Sequence, residues 1–420
     1  MKQGILSQIL DYSNRANPYP LYEELRRTPV FHDGEGPYVV STYHEIHGLL
    51  HDPRLSSDTR NRGAAAGDPL AGQEEGEQQL PPSFLKLDPP EHDRLRRMTN
   101  RPFGPPHSPR RIDGMRGELG SIVKGLIDGL ADGRSRSGEG DGNGIDLVDQ
   151  FSYPFPVTVI CRLLGVPRED EARFHVWADT LAASLDPDPD ADAEQREKAT
   201  SSARMELGMY LAGLIEERRK NPGDDMLSQL AAGHGQGETM STMELLSTAA
   251  LLLIAGHETT VNLITNGMLT LLRHPDVLER LRREPRLAVP LVEELLRYEP
   301  PVQLLPQRTP LCDIEVCGVT IPKGAPMWLV LAAGNRDPKR FENPDRFDPD
   351  RRDIQHLGLG SGIHSCFGAP LARLEAQLAL SELARRLHNP RLLEDPPPYR
   401  QNAVLRGPRH LVVACDDIRP

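Results

Sequence analysis

At 420 residues, with 38% apolar and 26% charged side chains, the chain has the composition of a soluble globular protein with a large core, not of a disordered or fibrous one. A formal net charge of −12 argues against nucleic acid as the default partner. Five cysteines without a pairing pattern argue against a disulfide framework. No signal-peptide core follows Met1 and no window is long and apolar enough to span a bilayer, so a cytoplasmic monomer that leaves the membrane alone is expected.

In chain order, residues 1–16 read as a loose N-terminal segment and 17–27 as a short helix. Val30-Phe31-His32 and Tyr38-Val39-Val40 read as a hairpin around Gly34-Glu35-Gly36, and a helix over 42–51 ends before Asp52-Pro53. Residues 59–80, rich in Gly, Ala, Gln and Glu without periodicity, predict a mobile surface loop, either plain solvent-facing chain or a lid. From Pro90 a helix carries Arg94, Arg96, Arg97 and Arg101, followed by Arg110 and Arg111. A polar break falls at 133–144, and helices are predicted over 150–164, 168–185 and 192–221, the last two separated by Asp186-Pro187-Asp188-Pro189-Asp190. Nothing repeats at a fixed period and no tether divides the chain, so residues 1–420 are expected to form one large, mainly α domain with small β-sheets.

The longest signal is 241–273. Ser241-Thr242-Met243-Glu244 is a capping box, and the helix it opens is apolar nearly all round, which predicts a path through the protein interior. His274-Pro275 stops it. Within it, Ala255-Gly256-His257-Glu258-Thr259-Thr260 places an acid beside an alcohol where burial makes polarity costly. One reading is a solvent-facing stripe; the other is a site that relays protons. Zinc through His257 and Glu258 would need a second histidine at 261, where Val261 stands.

Beyond lie Glu293-Glu294-Leu295-Leu296-Arg297 on a helix, with Glu294 and Arg297 able to pair three residues apart. Arg308, a strand pair over Ile314–Val316 and Val319–Ile321, and a strand over Trp328-Leu329-Val330-Leu331 follow. Then comes a glycine loop, Gly358-Leu359-Gly360-Ser361-Gly362-Ile363-His364-Ser365-Cys366-Phe367-Gly368, with a helix opening near Pro370. A cysteine ahead of a helix N-terminus sits where negative charge is favoured. By itself it is compatible with a structural thiol, a phosphate cradle, a zinc ligand through His364 and Cys366, or a thiolate ligand to haem iron.

Taken together, these motifs and their order resemble the cytochrome P450 family, in its soluble bacterial form, over about residues 17–415. Gly360 to Gly368 resembles the haem-ligand loop, with Cys366 as proximal thiolate and metal ligand. Ala255-Gly256-His257-Glu258-Thr259 resembles the oxygen-activation motif, which implies that Thr259 meets dioxygen, that Glu258 supplies protons and that Ala255 and Gly256 leave room above the ring. Glu294, Arg297 and Arg346 resemble the structural Glu-Arg-Arg triad. His92 and Arg96, four apart on one helix, with Arg308 and His364, match the haem-propionate contacts. The sequence departs from the family at Leu359, where a phenylalanine is usual.

The resemblance implies a cytochrome P450 fold, with haem b held between the central helix and the helix following Cys366. It implies insertion of one oxygen atom of O2 into a bulky apolar molecule, by hydroxylation or epoxidation, of the kind used in natural-product tailoring. Electrons would come from a ferredoxin and a ferredoxin reductase fed by NAD(P)H, with the arginines at 94, 97, 101, 110 and 111 as a docking face or merely a solvated one. The pocket would be lined from 59–86, 168–185, Leu251 to Glu258, Val302, Leu304, Leu305, Ala403 and Val404. A haem-binding sensor or carrier without turnover and a peroxide-driven peroxygenase are the alternatives.

Overall fold

The computed structural model describes residues 4–34, 36–63, 70, 81–103, 111–137, 144–185, 193–232 and 239–420. Most of the expected loop at 59–80, Arg110, the Asp186–Asp190 run and residues 138–143 of the break at 133–144 lie outside them. The chain divides into two compact units.

The first unit holds Met1–Asp93, Val289–Ala369 and Ala403–Arg406. Its sheet runs, edge to edge, Val30–Phe31, Tyr38–Val40, Met327–Leu329, Leu305–Pro310, Leu55–Ser56. Tyr38–Val40 and Met327–Leu329 pair in parallel, and the other neighbours are antiparallel. Because strand side chains alternate between faces, Val40, Met327 and Leu329 enter one apolar cluster with Tyr43, Ile46 and Phe341. Val39 and Trp328 enter another with Tyr19, Tyr22, Leu25 and Leu304. Both faces are covered, which explains why the central strand shows no polar alternation. The hairpin turns through Gly34 and Gly36, both at positive φ.

From residue 4 onward the N-terminal segment is structured rather than loose. Ile5–Leu10 is a helix whose Leu6 and Ile9 are buried. Arg15 is buried too, its guanidinium donating to the carbonyls of Ile9 and Leu10 while its own carbonyl accepts from Arg406 Nε at 2.8 Å. Four apolar residues supply too little pattern to reveal this anchoring; the partner at 406 supplies the rest.

The second unit holds Arg94–Ala288, Pro370–Asn402 and Gly407–Pro420 and is mostly helical. Thr242–Arg273 forms the expected long helix, its capping box complete at Ser241 and Glu244, and it packs on Pro154–Leu164 and Ala193–Lys220. Arg116–Ser137 is a helix the glycines at 117, 120, 125 and 129 disguise in sequence. Leu119, Val123, Ile127 and Leu130 give it a buried stripe, and burial outweighs the ~1 kcal/mol that each glycine costs. Pro275 ends one helix and begins the next, Pro275–Arg283, as its fixed φ suits a first helical position. Among the described residues no helix is long and apolar enough to cross a membrane.

Candidate active site

In the first unit, Glu294 and Arg297 are both buried and joined by two 2.7 Å hydrogen bonds. Arg297 spends its remaining donors on the carbonyls of Asn335 (3.0 Å), Pro344 (2.7 Å) and Arg346 (3.1 Å). The Asp348 N–H donates to Glu294 Oε1 at 2.9 Å. Asn335 carries the network onward: its amide nitrogen donates to the Leu296 carbonyl, and its oxygen accepts from Leu357 N–H at 2.7 Å. The glycine loop therefore begins from a point fixed by a buried ion pair.

One member of the expected triad changes. Arg346 contributes only its carbonyl, and its side chain is exposed. The second guanidinium beside Glu294 is Arg351, Nε to Oε2 3.4 Å. The turn at Asn343 (φ +45) and the following bend aim residue 346 outward and bring residue 351 back.

The loop is pressed against backbone at two places. A Cβ on Gly358 would collide with the Leu296 carbonyl oxygen, and one on Gly362 with that of Leu50. Gly362 and Gly360 both adopt φ +66, the left-handed region that glycine enters without strain. His51 Nε2 meets Ser361 Oγ at 2.7 Å, and Cys366 N–H donates to the Leu359 carbonyl at 2.7 Å. Leu359 thus holds the cysteine through its backbone, a job independent of its side chain. Cys366 is exposed and Gly368 has no protein atom where a Cβ would go. The helix Ala369–Arg386 starts three residues after the thiol.

The residues expected to hold haem carboxylates fit that task. His92 is buried, its Nδ1 bonded to Asp93 Oδ1 at 2.8 Å, while its Nε2 has no protein partner. Its ring lies 4.5 Å from that of His364, edge to face. Burial pulls Arg308 down to about 10, with the Asp88 charge opposing the shift. The buried His92 Nε2 is a hydrogen-bonding position that an anion such as a haem propionate would fit, and Arg308 in the same unit is a cation of matching sign. Arg96 is half-buried, one turn beyond His92 on Glu91–Phe103.

In the second unit the central helix shows one open face mid-length: Leu251 and Thr259 are half-buried, and Ile254 and Ala255 exposed. Thr259 Oγ1 donates to the Ala255 carbonyl at 2.7 Å, the bond back along the helix that Thr265 and Thr270 also make. Glu258 shares that stripe, one turn on from Ile254 and Ala255, yet is covered. It is buried and paired with Arg400, Nε to Oε1 3.1 Å. Gly256 does not simply leave room: Ile160 Cδ1 lies 2.8 Å from where its Cβ would be, so its bareness admits the neighbouring helix.

Burial lowers His257 to about 3; the Arg400 and His175 charges push the same way, and a backbone hydrogen bond to Tyr153 opposes it. His257 is therefore neutral at physiological pH.

Other expectations are redistributed. Leu304 is fully buried in the cluster around Trp328 and Ala403 is nearly so, which makes them core rather than lining. Val302, Leu305 and Val404 stay half-buried where Val302–Leu305 runs antiparallel to Ala403–Leu405. Of the arginine cluster, Arg94 pairs with Glu244 and Arg111 donates to the Asp224 carbonyl, while Arg97 is exposed. Sequence reasoning missed Arg351 and Arg400. Five residues separate Arg346 from Arg351 with no periodicity to choose between them, and Arg400 sits in an irregular proline-rich stretch.

Comparison with known proteins agrees with this geometry. The family model described as cytochrome P450 matches residues 171–413. The chain is 40% identical over 414 residues to the cytochrome P450 monooxygenase PikC of Streptomyces venezuelae, covering 95% of this chain and 91% of that one. It is 38% identical over 389 residues to the vitamin D3 dihydroxylase of Streptomyces griseolus, covering 90% of each. Among solved structures, the Bacillus subtilis bacillaene polyketide synthase cytochrome P450 PksS superposes with a TM-score of 0.83 at 31% identity, over 97% of this chain and 99% of that one. The chain belongs to the cytochrome P450 family.

Proposed function

We propose that this chain is a haem b monooxygenase that inserts one oxygen atom of O2 into a bulky, largely apolar small molecule of polyketide or steroid type. The product is hydroxylated or epoxidised, and electrons come from a ferredoxin and its reductase. One observation carries the reading: an exposed thiol on a backbone-anchored loop shares its unit with His92, Arg308 and His364, the donors that suit a dicarboxylate cofactor bound through sulfur. Relatives named for vitamin D3 and for a polyketide synthase support the substrate class.

Haem bound by a thiolate supplies the oxidising chemistry. Cys366 presents the sulfur; His92, Arg96, Arg308 and His364 hold the carboxylates. Leu251, Ile254 and Ala255 offer the substrate an aliphatic surface that excludes water. Thr259 turns its hydroxyl from the Ala255 carbonyl to hold a proton at Oγ1 on the open face, and Glu258 replaces that proton from solvent.

The test is spectroscopic first. Reduced, haem-loaded protein given carbon monoxide is expected to show the red-shifted Soret band of sulfur ligation, and Cys366→Ala to lose it. A compound panel scored for the low-to-high-spin shift then identifies substrates. Oxygen and NAD(P)H consumption with ferredoxin present, matched to product, separates an oxygenase from a sensor. A folded haem protein lacking that band would overturn the reading.

A further inference from the structure

Ala193–Lys220, a helix of 28 residues, packs on Glu171–Leu185 and on the central helix, with Ala203, Leu207, Leu211, Leu214 and Ile215 buried along its inner side. Its outer side is not an ordinary solvated face. Met205 and Met209, one turn apart, are 57% and 61% exposed, and Val176 on the neighbouring helix is 62% exposed. The nearby carboxylate is engaged elsewhere: Glu206 accepts from Trp177 Nε1 at 3.1 Å and from Ser202 Oγ at 3.0 Å. Ser201, Ala212 and Gly213 keep the ground beside the methionines low, which lets a second helix approach closely.

Charge closes the stripe at both ends. Along the face from its N-terminal end stand Glu194, Lys198, Met205, Met209, Glu216 and Lys220, all exposed. Their spacing puts them in one row. Turned end for end against its own copy about the level of Leu207, the row sets Lys198 level with Glu216, Glu194 with Lys220, and Met205 with Met209. Acid therefore meets base at each charged level, and the apolar residues meet each other. Glu197 and Glu217 also come level, but they lie on opposite flanks of the helix. Glu216 already pairs with Arg219 at 2.8 Å, while Arg219 Nη1 donates to Thr242 Oγ1 at 2.8 Å. That guanidinium is held back against its own chain, and the Glu216 carboxylate keeps lone pairs for a facing ammonium.

We propose that this face is a self-association surface, on which two copies of the chain pack Ala193–Lys220 antiparallel as an isologous dimer, methionines at the centre and ion pairs at both ends. The order of the charges selects this occupant. A uniformly acidic or basic partner is repelled by two of the four charges, and an anionic membrane by the two glutamates; a reversed copy is matched at all four. Methionine suits the centre, because its flexible side chain adapts to a facing copy of itself. One helix pair lies at the small end of specific interfaces, so the dimer is reversible, with a Kd of roughly 10–100 µM, in place of the monomer expected from the sequence. The surface uses neither Cys366 nor the haem-carboxylate donors and stands apart from the monooxygenase reading.

Sedimentation velocity of the haem-loaded protein over about 1–300 µM, a range spanning that Kd, is the test. The native chain is expected to show a sedimentation coefficient that rises with concentration. Met205→Glu, which sets a carboxylate against the apolar centre, stays monomeric throughout. Lys198→Glu places like charges together at both ends of the dimer and weakens association by about 10-fold, as does Glu216→Lys. The double exchange Lys198→Glu/Glu216→Lys restores the native value, because every level is matched again. Damage to the helix in either single variant would give no such recovery, and circular dichroism checks the fold of each. A native chain that stays monomeric, or a dimer indifferent to Met205→Glu and to the charge exchange, would overturn the proposal. Flotation with phosphatidylcholine–phosphatidylglycerol vesicles then names the other occupant: a monomeric native chain that floats, and ceases to in Met205→Glu, assigns the face to a membrane instead.

Discussion

Arg351 Nε stands 3.4 Å from Glu294 Oε2, so the acid that anchors the cysteine loop faces two guanidinium groups rather than one. The arrangement divides the work unequally. Arg297 satisfies the carboxylate through hydrogen bonds, while Arg351 adds charge from a position 10% exposed.

That division predicts a ranking. Arg297→Gln strands a buried carboxylate and costs about 3–5 kcal/mol. Arg351→Gln costs about 1–2 kcal/mol, between the limits for exposed and buried pairs. Arg346→Gln changes stability by less than about 0.5 kcal/mol, because its carbonyl survives the substitution. Urea unfolding of the three variants checks the order, and equal losses at 346 and 351 would refute it.

The glycine loop makes a second ranking. Gly360 needs left-handed backbone but has space for a methyl group, so Gly360→Ala costs about 1–2 kcal/mol. Gly362 needs both the conformation and the contact with the Leu50 carbonyl, so Gly362→Ala costs roughly 2–4 kcal/mol. Gly358→Ala meets the Leu296 carbonyl, which sits in a helix and cannot retreat. Both tight variants should also lose the carbon monoxide band, whereas Gly360→Ala retains it.

His257 gives a pH dependence of definite sign. Its value falls from 6.5 in the unfolded chain to about 3 in the folded one, so below pH 6.5 the unfolded state binds a proton that the folded state refuses. Stability contributed by the neutral ring is complete above pH 6.5 and declines by about 1.4 kcal/mol per pH unit as pH drops toward 3. His257→Gln is expected to flatten the unfolding free energy over that window. An unchanged slope would show that another group governs it.

The propionate assignment is tested by separating haem retention from folding. His92→Phe and Arg308→Leu each remove a donor to an anion, a loss of about 1.5–3 kcal/mol in haem affinity, or roughly 10- to 150-fold. Haem transfer to an acceptor protein measures this. The apo-protein's unfolding midpoint should move less than the holo-protein's.

How much was legible from the sequence depends on the range over which each signal acts. The capping box at Ser241, the apolar run of the central helix, the Gly34–Gly36 turn and the motif around Cys366 are local patterns, and each is realised where the chain places it. The helix at Arg116–Ser137 was hidden because glycine speaks against helix locally while its buried stripe acts only through neighbours. Gly256 shows the same division: its place in the motif is local, but the side chain that occupies its space belongs to Ile160.

By itself, then, the order of residues determined which family the chain belongs to and which cysteine stands in that family's loop motif, because spacing along one helix or loop encodes them. The folded molecule alone decided that Arg351, not Arg346, faces Glu294, and that Arg400 meets Glu258. Ion pairs between residues 57 and 142 positions apart follow from how irregular segments pack, and no periodicity in the sequence records that.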